Sequence, residues 1–372
     1  MGTFSKMYRG RTDFDFPKIF RPMLIVSAIL VVISIASLVN SGLNLAIEFE
    51  GGAAWEIPSQ TMTSGQANAV LAQFGLRDGS KVQVATGASG KRVVKVQADT
   101  KSIVTSRKVA KAFAEKAGVK VDEIATNTVG PSWGSEITKQ ATISLVVFLI
   151  VIALYITLLL EWSMAVAALI AVAHDIIITV GVYSILGFEV TPATVISFLT
   201  ILGYSLYDTI VVYERVSENT VRYDRAERYT YSGIMRRSLN QVLMRSINTT
   251  LVAILPVLSM LIIGAFAFGQ STIKDFSLAL LVGLISGAYS SIFIAAPFVV
   301  MLKEREPKYR RIRKRATDRG QLAIAEHVPL ADAVISAVPV SANGAAATTQ
   351  AVQAAQYSRP HPPRPRKQGK TR

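Results

Sequence analysis

The stretch Val190–Val212, VTPATVISFLTILGYSLYDTIVV, holds a single charge, Asp208. Its length is that of a bilayer-crossing helix, for which about 20 apolar residues suffice. A carboxylate inside such a helix costs a few kcal/mol even on insertion scales, so it faces a bundle interior or water and commonly handles ions or protons. Thr194, Ser197, Thr200, Tyr204 and Asp208 recur at spacings of three or four, which puts them on one helical face. They predict a polar stripe ending in a titratable group. The competing expectation is a buried Asp held by a hydroxyl or an Arg, tying helices together.

Outward from this stretch the chain reads as a polytopic α-helical membrane protein. Apolar residues make up 51% of it, and six runs reach spanning length: Met23–Val39, Ala141–Leu160, Met164–Leu186, Val190–Val212, Leu251–Phe268 and Phe276–Leu302. There is no Cys, which excludes disulfides, a thiol nucleophile and thiolate metal sites, and His174, His327 and His361 are too scattered to form a metal cluster. The net charge of +15 is concentrated in Lys6–Arg21, Arg215–Arg245 and Lys303–Arg319, all beside spans and all on one side of a six-span topology. The short loops opposite, Gly187–Glu189 and Gly269–Asp275, carry one basic residue, Lys274. By the positive-inside rule both termini are expected in the cytoplasm, and the charge records topology rather than a specific nucleic-acid partner. The first span lacks a convincing cleavage site and is expected to be an uncleaved anchor in the cell membrane.

This topology divides the chain into a cytoplasmic segment 1–22, a first span 23–39, an extracytoplasmic domain 40–140, spans two to six over 141–302 with a cytoplasmic loop 214–248, and a basic, mostly disordered cytoplasmic tail 303–372. The domain between spans one and two reads βαββαβ: strand Phe49–Ile57, helix Gly65–Phe74, strands Lys81–Thr86 and Lys91–Ala98 around the turn Gly87–Gly90, helix Ser102–Ala117, and strand Val121–Thr128. That order predicts a ferredoxin-like α+β sandwich. Ile103, Val109, Phe113 and Ala117 mark the apolar face of its second helix. Gly283, Gly287 and Ser291 form a small-xxx-small face for close helix packing, within this chain or against a partner. Ala331–Ala355 and the Pro-rich Ser358–Arg372 are expected to be disordered.

Other polar residues fall in or beside the spans. His174 and Asp175 are adjacent, so they diverge by about 100° on a helix and cannot both face one ion. Asp175 is either a second polar partner in the membrane or a packing residue. Arg245 precedes span five by one to two turns and can snorkel to the depth of Asp208, or serve simply as an interfacial anchor. G-x-S-x-G, H-E-x-x-H and P-loop motifs are absent, which argues against hydrolase or nucleotide-driven chemistry.

Taken in order, Arg11–Phe16, Gly42–Gly52, Val129–Glu136, His174-Asp175, Gly203–Thr209 and Asn240–Arg245 resemble the SecF branch of the SecD/SecF family, over roughly Tyr8 to Glu306. The one-span, outer-domain, five-span layout also resembles a half-repeat of the resistance-nodulation-division superfamily. The resemblance implies a SecD-like partner, the SecYEG channel, a translocating unfolded polypeptide and membrane lipids as contacts. It implies no cofactor and no enzyme, but use of the proton-motive force, which supplies about 2.3 kcal/mol per proton at 100 mV. It assigns the proton relay to Asp208 with Arg245 as its charge partner; from the spans themselves, Asp175, Tyr204, Ser205 and Thr200 are expected as relay or packing support. Two departures from the family pattern are Glu48 in place of Asp and Leu206-Tyr207 in place of Ile-Asn. The alternatives are half of a proton-driven lipid or drug exporter, or a non-transporting scaffold.

Overall fold

A computed structural model describes residues 12–86, 92–100, 102–224, 228–267 and 271–328. Among them are six helices long and apolar enough to cross a membrane. Long apolar runs become helices because only a helix or closed barrel satisfies every backbone donor and acceptor in lipid.

Span one is helix α1 (Phe16–Ser41). A short strand β1 (Asn44–Leu45) and a helical turn α2 (Ile47–Glu50) lead into the α+β domain. That domain runs β2 (Gly52–Pro58), α3 (Ser64–Gln73), β3 (Lys81–Thr86), β4 (Arg92–Ala98), α4 (Ile103–Ala117) and β5 (Ala125–Val129). The sheet order is β3-β4-β2-β5, with every neighbouring pair antiparallel. This is the pattern of two interleaved βαβ units. Trp55, Ile57, Val94, Val96, Val109 and Phe113 are buried between sheet and helices.

Several local expectations are corrected. The first strand begins at Gly52 rather than Phe49. Positive φ at Gly51 and Gly52 (81° and 116°) separates it from α2, and a Cβ at Gly52 would lie 2.7 Å from the Ala98 carbonyl oxygen, so only glycine fits there. Val121–Glu123 is a 3₁₀ turn ahead of the last strand. Val109 and Phe113 are buried as expected, but Ile103 is exposed, and Ser106, Ala110 and Ala114 complete the buried face of α4. The expected turn Gly87–Gly90 lies outside the described residues.

Span two, α5 (Pro131–Leu159), begins ten residues before the apolar run, at the Gly130-Pro131 break. Span three is α6 (Trp162–Leu186), and a short strand β6 (Glu189–Val190) pairs in parallel with β1. Span four is α7 (Pro192–Asp224), capped where the Thr194 N–H donates to the Thr191 hydroxyl at 3.2 Å. Span five is α8 (Tyr231–Met260), ending in a π-helical stretch, Leu261–Ala267. The expected loop 214–248 is therefore mostly helix. Its charged residues continue α7 and α8 beyond the apolar core, where Asn219 donates to the Ser238 hydroxyl and the Gln241 side chain, both at 2.8 Å.

Span six comprises α9 (Ser271–Ser290), a π-helical segment Ser291–Ala295, and α10 (Ala296–Lys303). After it come α11 (Pro307–Asp318), which buries Tyr309, Ile312 and Ala316, and α12 (Leu322–Ala325). The chain beyond Arg319, expected to be disordered, is ordered as far as Val328. The Thr230 N–H donates to the Ala325 carbonyl at 3.0 Å, and Val328 joins the main apolar core. Residues 329–372 lie outside the description. Spans three, four and six form the buried centre of the bundle, while α5 presents Ile150, Val151, Leu154 and Leu158 outward.

Candidate functional site

Two buried carboxylates occupy the centre of the bundle. Asp208 on α7 is 6% exposed and its Oδ2 accepts hydrogen bonds from the hydroxyls of Ser246 on α8 (2.6 Å) and Ser291 in span six (2.7 Å). Asp175 on α6 is 1% exposed. Its Oδ2 accepts from Ser205 (2.6 Å) and Ser290 (2.7 Å), and its Oδ1 accepts from Ser286 (2.8 Å) and lies 3.2 Å from His174 Nδ1.

The two acids are linked through consecutive serines. Ser290 serves Asp175, Ser291 serves Asp208, and the π-helical segment begins at Ser291. A π-bulge widens the helix locally and re-aims side chains, a device frequent at functional sites. The acids differ chemically. Both oxygens of Asp175 are occupied, so a proton could bind only if one of the serine hydroxyls turned from donating to accepting. Among the described residues, Oδ1 of Asp208 accepts no hydrogen bond, which leaves one oxygen available to a proton or a cation.

The predicted polar stripe is only partly retained. Thr194, Ser197 and Asp208 are buried on the inner face of α7, with Ser205 alongside. Thr200 is exposed, and its hydroxyl bonds back to the Ile196 carbonyl of its own helix at 2.9 Å. Tyr204 is half-buried and donates to the Thr249 carbonyl at 2.7 Å. The buried face runs 194, 197, 201, 205, 208, so the three-or-four spacing through Thr200 and Tyr204 drifts off it.

Arg245 is not brought to Asp208. It is exposed, and it makes no ion pair among the described residues. Its neighbour Ser246 occupies the place at the carboxylate. Arg245, one position earlier on α8, points away from the acid. The serine donors Ser246, Ser286, Ser290 and Ser291 were missed. For the three in span six the signal is the run of small residues that also forms the packing face; Ser246, in span five, carries none.

That face packs inside this chain. A Cβ on Gly283 would lie 2.3 Å from Ile201 Cδ1, and one on Gly287 would lie 2.8 Å from Ser205 Cβ. Close approach of α9 to α7 is what lets short serine side chains reach both acids. The quoted sequence motifs also meet in pairs. Asn240 accepts from the Phe14 N–H (2.8 Å) and donates to the Phe14 carbonyl (2.9 Å), while Gly134 abuts the Phe49 carbonyl.

The family model for the C-terminal part of protein export membrane protein SecD/SecF matches residues 108–305. A protein translocase subunit SecF of Streptomyces coelicolor is 40% identical over 311 residues, covering 84% of this chain and 82% of that one. A SecF of Mycobacterium tuberculosis is 39% identical over 323 residues, covering 85% and 73%. Among solved structures, SecDF of Thermus thermophilus, a translocon-associated membrane protein, aligns with TM-score 0.71 at 30% identity. The alignment covers 80% of this chain and 39% of that longer one.

Proposed function

This chain belongs to the SecD/SecF family of protein-export membrane proteins, and we propose that it acts as the SecF half of an export accessory complex driven by the proton-motive force. The observation that carries the proposal is Asp208: a carboxylate buried inside a multi-pass bundle with one oxygen held by two serines and the other open. An acid so placed can gain or lose a proton without dismantling its site. Asp175, saturated by donors, is the fixed polar anchor beside it.

Arg245 enters through movement. Adjacent helical residues point about 100° apart. A turn of α8 by one residue position would exchange Ser246 for Arg245 at Asp208. The charged acid would then pair with the guanidinium, and the protonated acid would return to the serines. Such an exchange ties the charge state to a helix rotation, the kind of two-state element a coupled device needs. A SecD-like subunit is the partner that the SecF relatives and the longer SecDF chain favour. The SecYEG channel, an unfolded secreted chain and surrounding lipid complete the contacts. By the positive-inside rule, this reading has the termini in the cytoplasm and the α+β domain outside.

The test is export into vesicles with and without a proton gradient, at matched expression. Asp208→Asn keeps shape but cannot titrate, and is expected to lose the gradient-dependent part of export while assembly persists. Arg245→Lys keeps charge but loses the planar fork, and is expected to lower it substantially. Full gradient dependence in Asp208→Asn would leave Asp208 a structural residue.

A further inference from the structure

A cavity of about 180 Å³ lies between the sheet of the α+β domain and the adjoining ends of the spans, lined by Glu48, Glu56, Lys95, Glu189, Thr191 and Asp275 among others. At about 30 Å³ per water it has room for a handful of waters. Four carboxylates face it, from α2 (Glu48), β2 (Glu56), β6 (Glu189) and the first turns of α9 (Asp275), against the single ammonium of Lys95 on β4. Lys274, next to Asp275, is exposed and lies over the Phe188 ring at 5.9 Å.

The two most buried acids differ in their partners. Glu189, 5% exposed, is held on both oxygens: Lys95 Nζ lies 2.6 Å from Oε2, and the Gln97 amide donates to Oε1. Burial alone would lower the Lys95 ammonium, but the charge and hydrogen bond of Glu189 outweigh it and hold it above the ordinary value. Asp275 is 6% exposed and lines the same cavity. Its backbone carbonyl accepts from the Tyr183 hydroxyl at 2.6 Å, yet its carboxylate meets no donor among the described residues. An ionised acid buried without a donor is costly, and taking up a proton removes that cost.

We propose that this cavity is a proton-exchange site at the mouth of the bundle, with Asp275 as the group that binds the proton and Lys95, Gln97 and Glu189 as its fixed wall. Asp275 precedes Ser291 by sixteen residues, or about 24 Å along span six. The buried hydroxyls of Thr194 and Ser197 lie on α7 between the levels of Asp275 and Asp208, and Ser197 donates to the Phe276 carbonyl at 3.3 Å. The site would load protons bound for Asp208, and in that respect it rests on the function proposed above.

The test is a pH titration of the full-length chain in lipid nanodiscs, followed by difference infrared spectroscopy of protonated carboxyls. A protonated-carboxyl component that grows as pH falls and is missing from Asp275→Asn is expected in the wild type, and the same component is expected to persist in Asp208→Asn. Asp275→Glu is expected to keep the band at a shifted frequency, so a misfolded Asn variant does not decide the matter. Lys95→Gln removes the facing cation and is expected to move the midpoint to higher pH. No difference between the titrations of wild type and Asp275→Asn would overturn the proposal. Gradient-independent export in wild type with the Asp275 band intact would instead remove the proton-coupling function and leave the exchange site standing.

Discussion

Replacing Gly287 by Ala tests whether close packing of spans four and six builds the acidic site. The added Cβ would sit 2.8 Å from Ser205 Cβ, 3.1 Å from its Oγ and 3.3 Å from its Cα. Carbon atoms prefer about 3.5–4.0 Å, so the helices must part by nearly 1 Å. Overpacking of this kind costs about 1–3 kcal/mol. The Ser205 hydroxyl donates to Asp175 at 2.6 Å, and losing a hydrogen bond to a charged group adds about 1.5–3 kcal/mol. Alanine recovers about 1 kcal/mol of helix propensity. The net expectation is destabilisation by about 2–4 kcal/mol, read as a lower unfolding temperature of the full chain in nanodiscs. Gly203, on the exposed side of the same α7, has nothing within 4 Å of its virtual Cβ, so Gly203→Ala is expected to be neutral or slightly stabilising. A Cβ on Gly283 would lie 2.3–2.7 Å from Cδ1, Cγ2 and Cγ1 of the buried Ile201, so Gly283→Ala is also expected to unfold earlier than Gly203→Ala. If Gly287→Ala unfolded no earlier than Gly203→Ala, the close approach of the two spans would be refuted.

Further outcomes follow from single contacts. Asp175→Asn is expected to cost about 1–3 kcal/mol through its weakened serine bonds while reducing gradient-dependent export less than Asp208→Asn, as measured by unfolding and export side by side. The Lys95–Glu189 pair, with Lys95 raised, contributes stability in full below the ordinary lysine value of 10.5 and loses it as pH rises through the higher folded value; thermal unfolding across that alkaline range checks the sign. Phe113→Ala is expected to destabilise the α+β domain by about 3–5 kcal/mol, because Phe113 is fully buried against Trp55 at 5.8 Å between ring centroids; hydrogen exchange within the domain reports it. Truncation after Val328 is expected to leave the unfolding temperature unchanged, whereas truncation after Arg319 removes the Ala325 carbonyl that caps Thr230 and is expected to lower it. A cysteine at exposed Thr61 is expected to react with an impermeant thiol reagent in intact cells and one at Arg319 is not; the reverse would invert the topology.

The spans and the βαββαβ order were legible because each rests on a periodic apolar pattern that the fold must bury. Asp208 and Asp175 were legible because a charge inside an apolar run has few benign explanations. The site's donors were not, for a physical reason. Ser246, Ser290 and Ser291 are small polar residues in apolar helices, equally suited to packing and to hydrogen bonding, and only the spatial convergence of three helices decides between them. The facing of Arg245 was hidden for a related reason: sequence spacing fixes depth along a helix well, but a one-residue difference in facing turns a side chain by about 100°. The acidic cavity was hidden because Glu189 and Asp275 sit in short loops or helix starts that read as solvated, and only the docked sheet buries them. The order in Gly320–Val328 came from tertiary contacts that local composition does not encode.

The central claim is that Asp208 carries the proton that drives export. Its most direct test is proton entry into vesicles holding the full chain with its SecD-like partner and the channel, followed by an internal pH dye under an imposed gradient during export. The account predicts export-linked acidification in the wild type, its loss in Asp208→Asn and its retention in Asp175→Asn. Wild-type acidification in Asp208→Asn would contradict it.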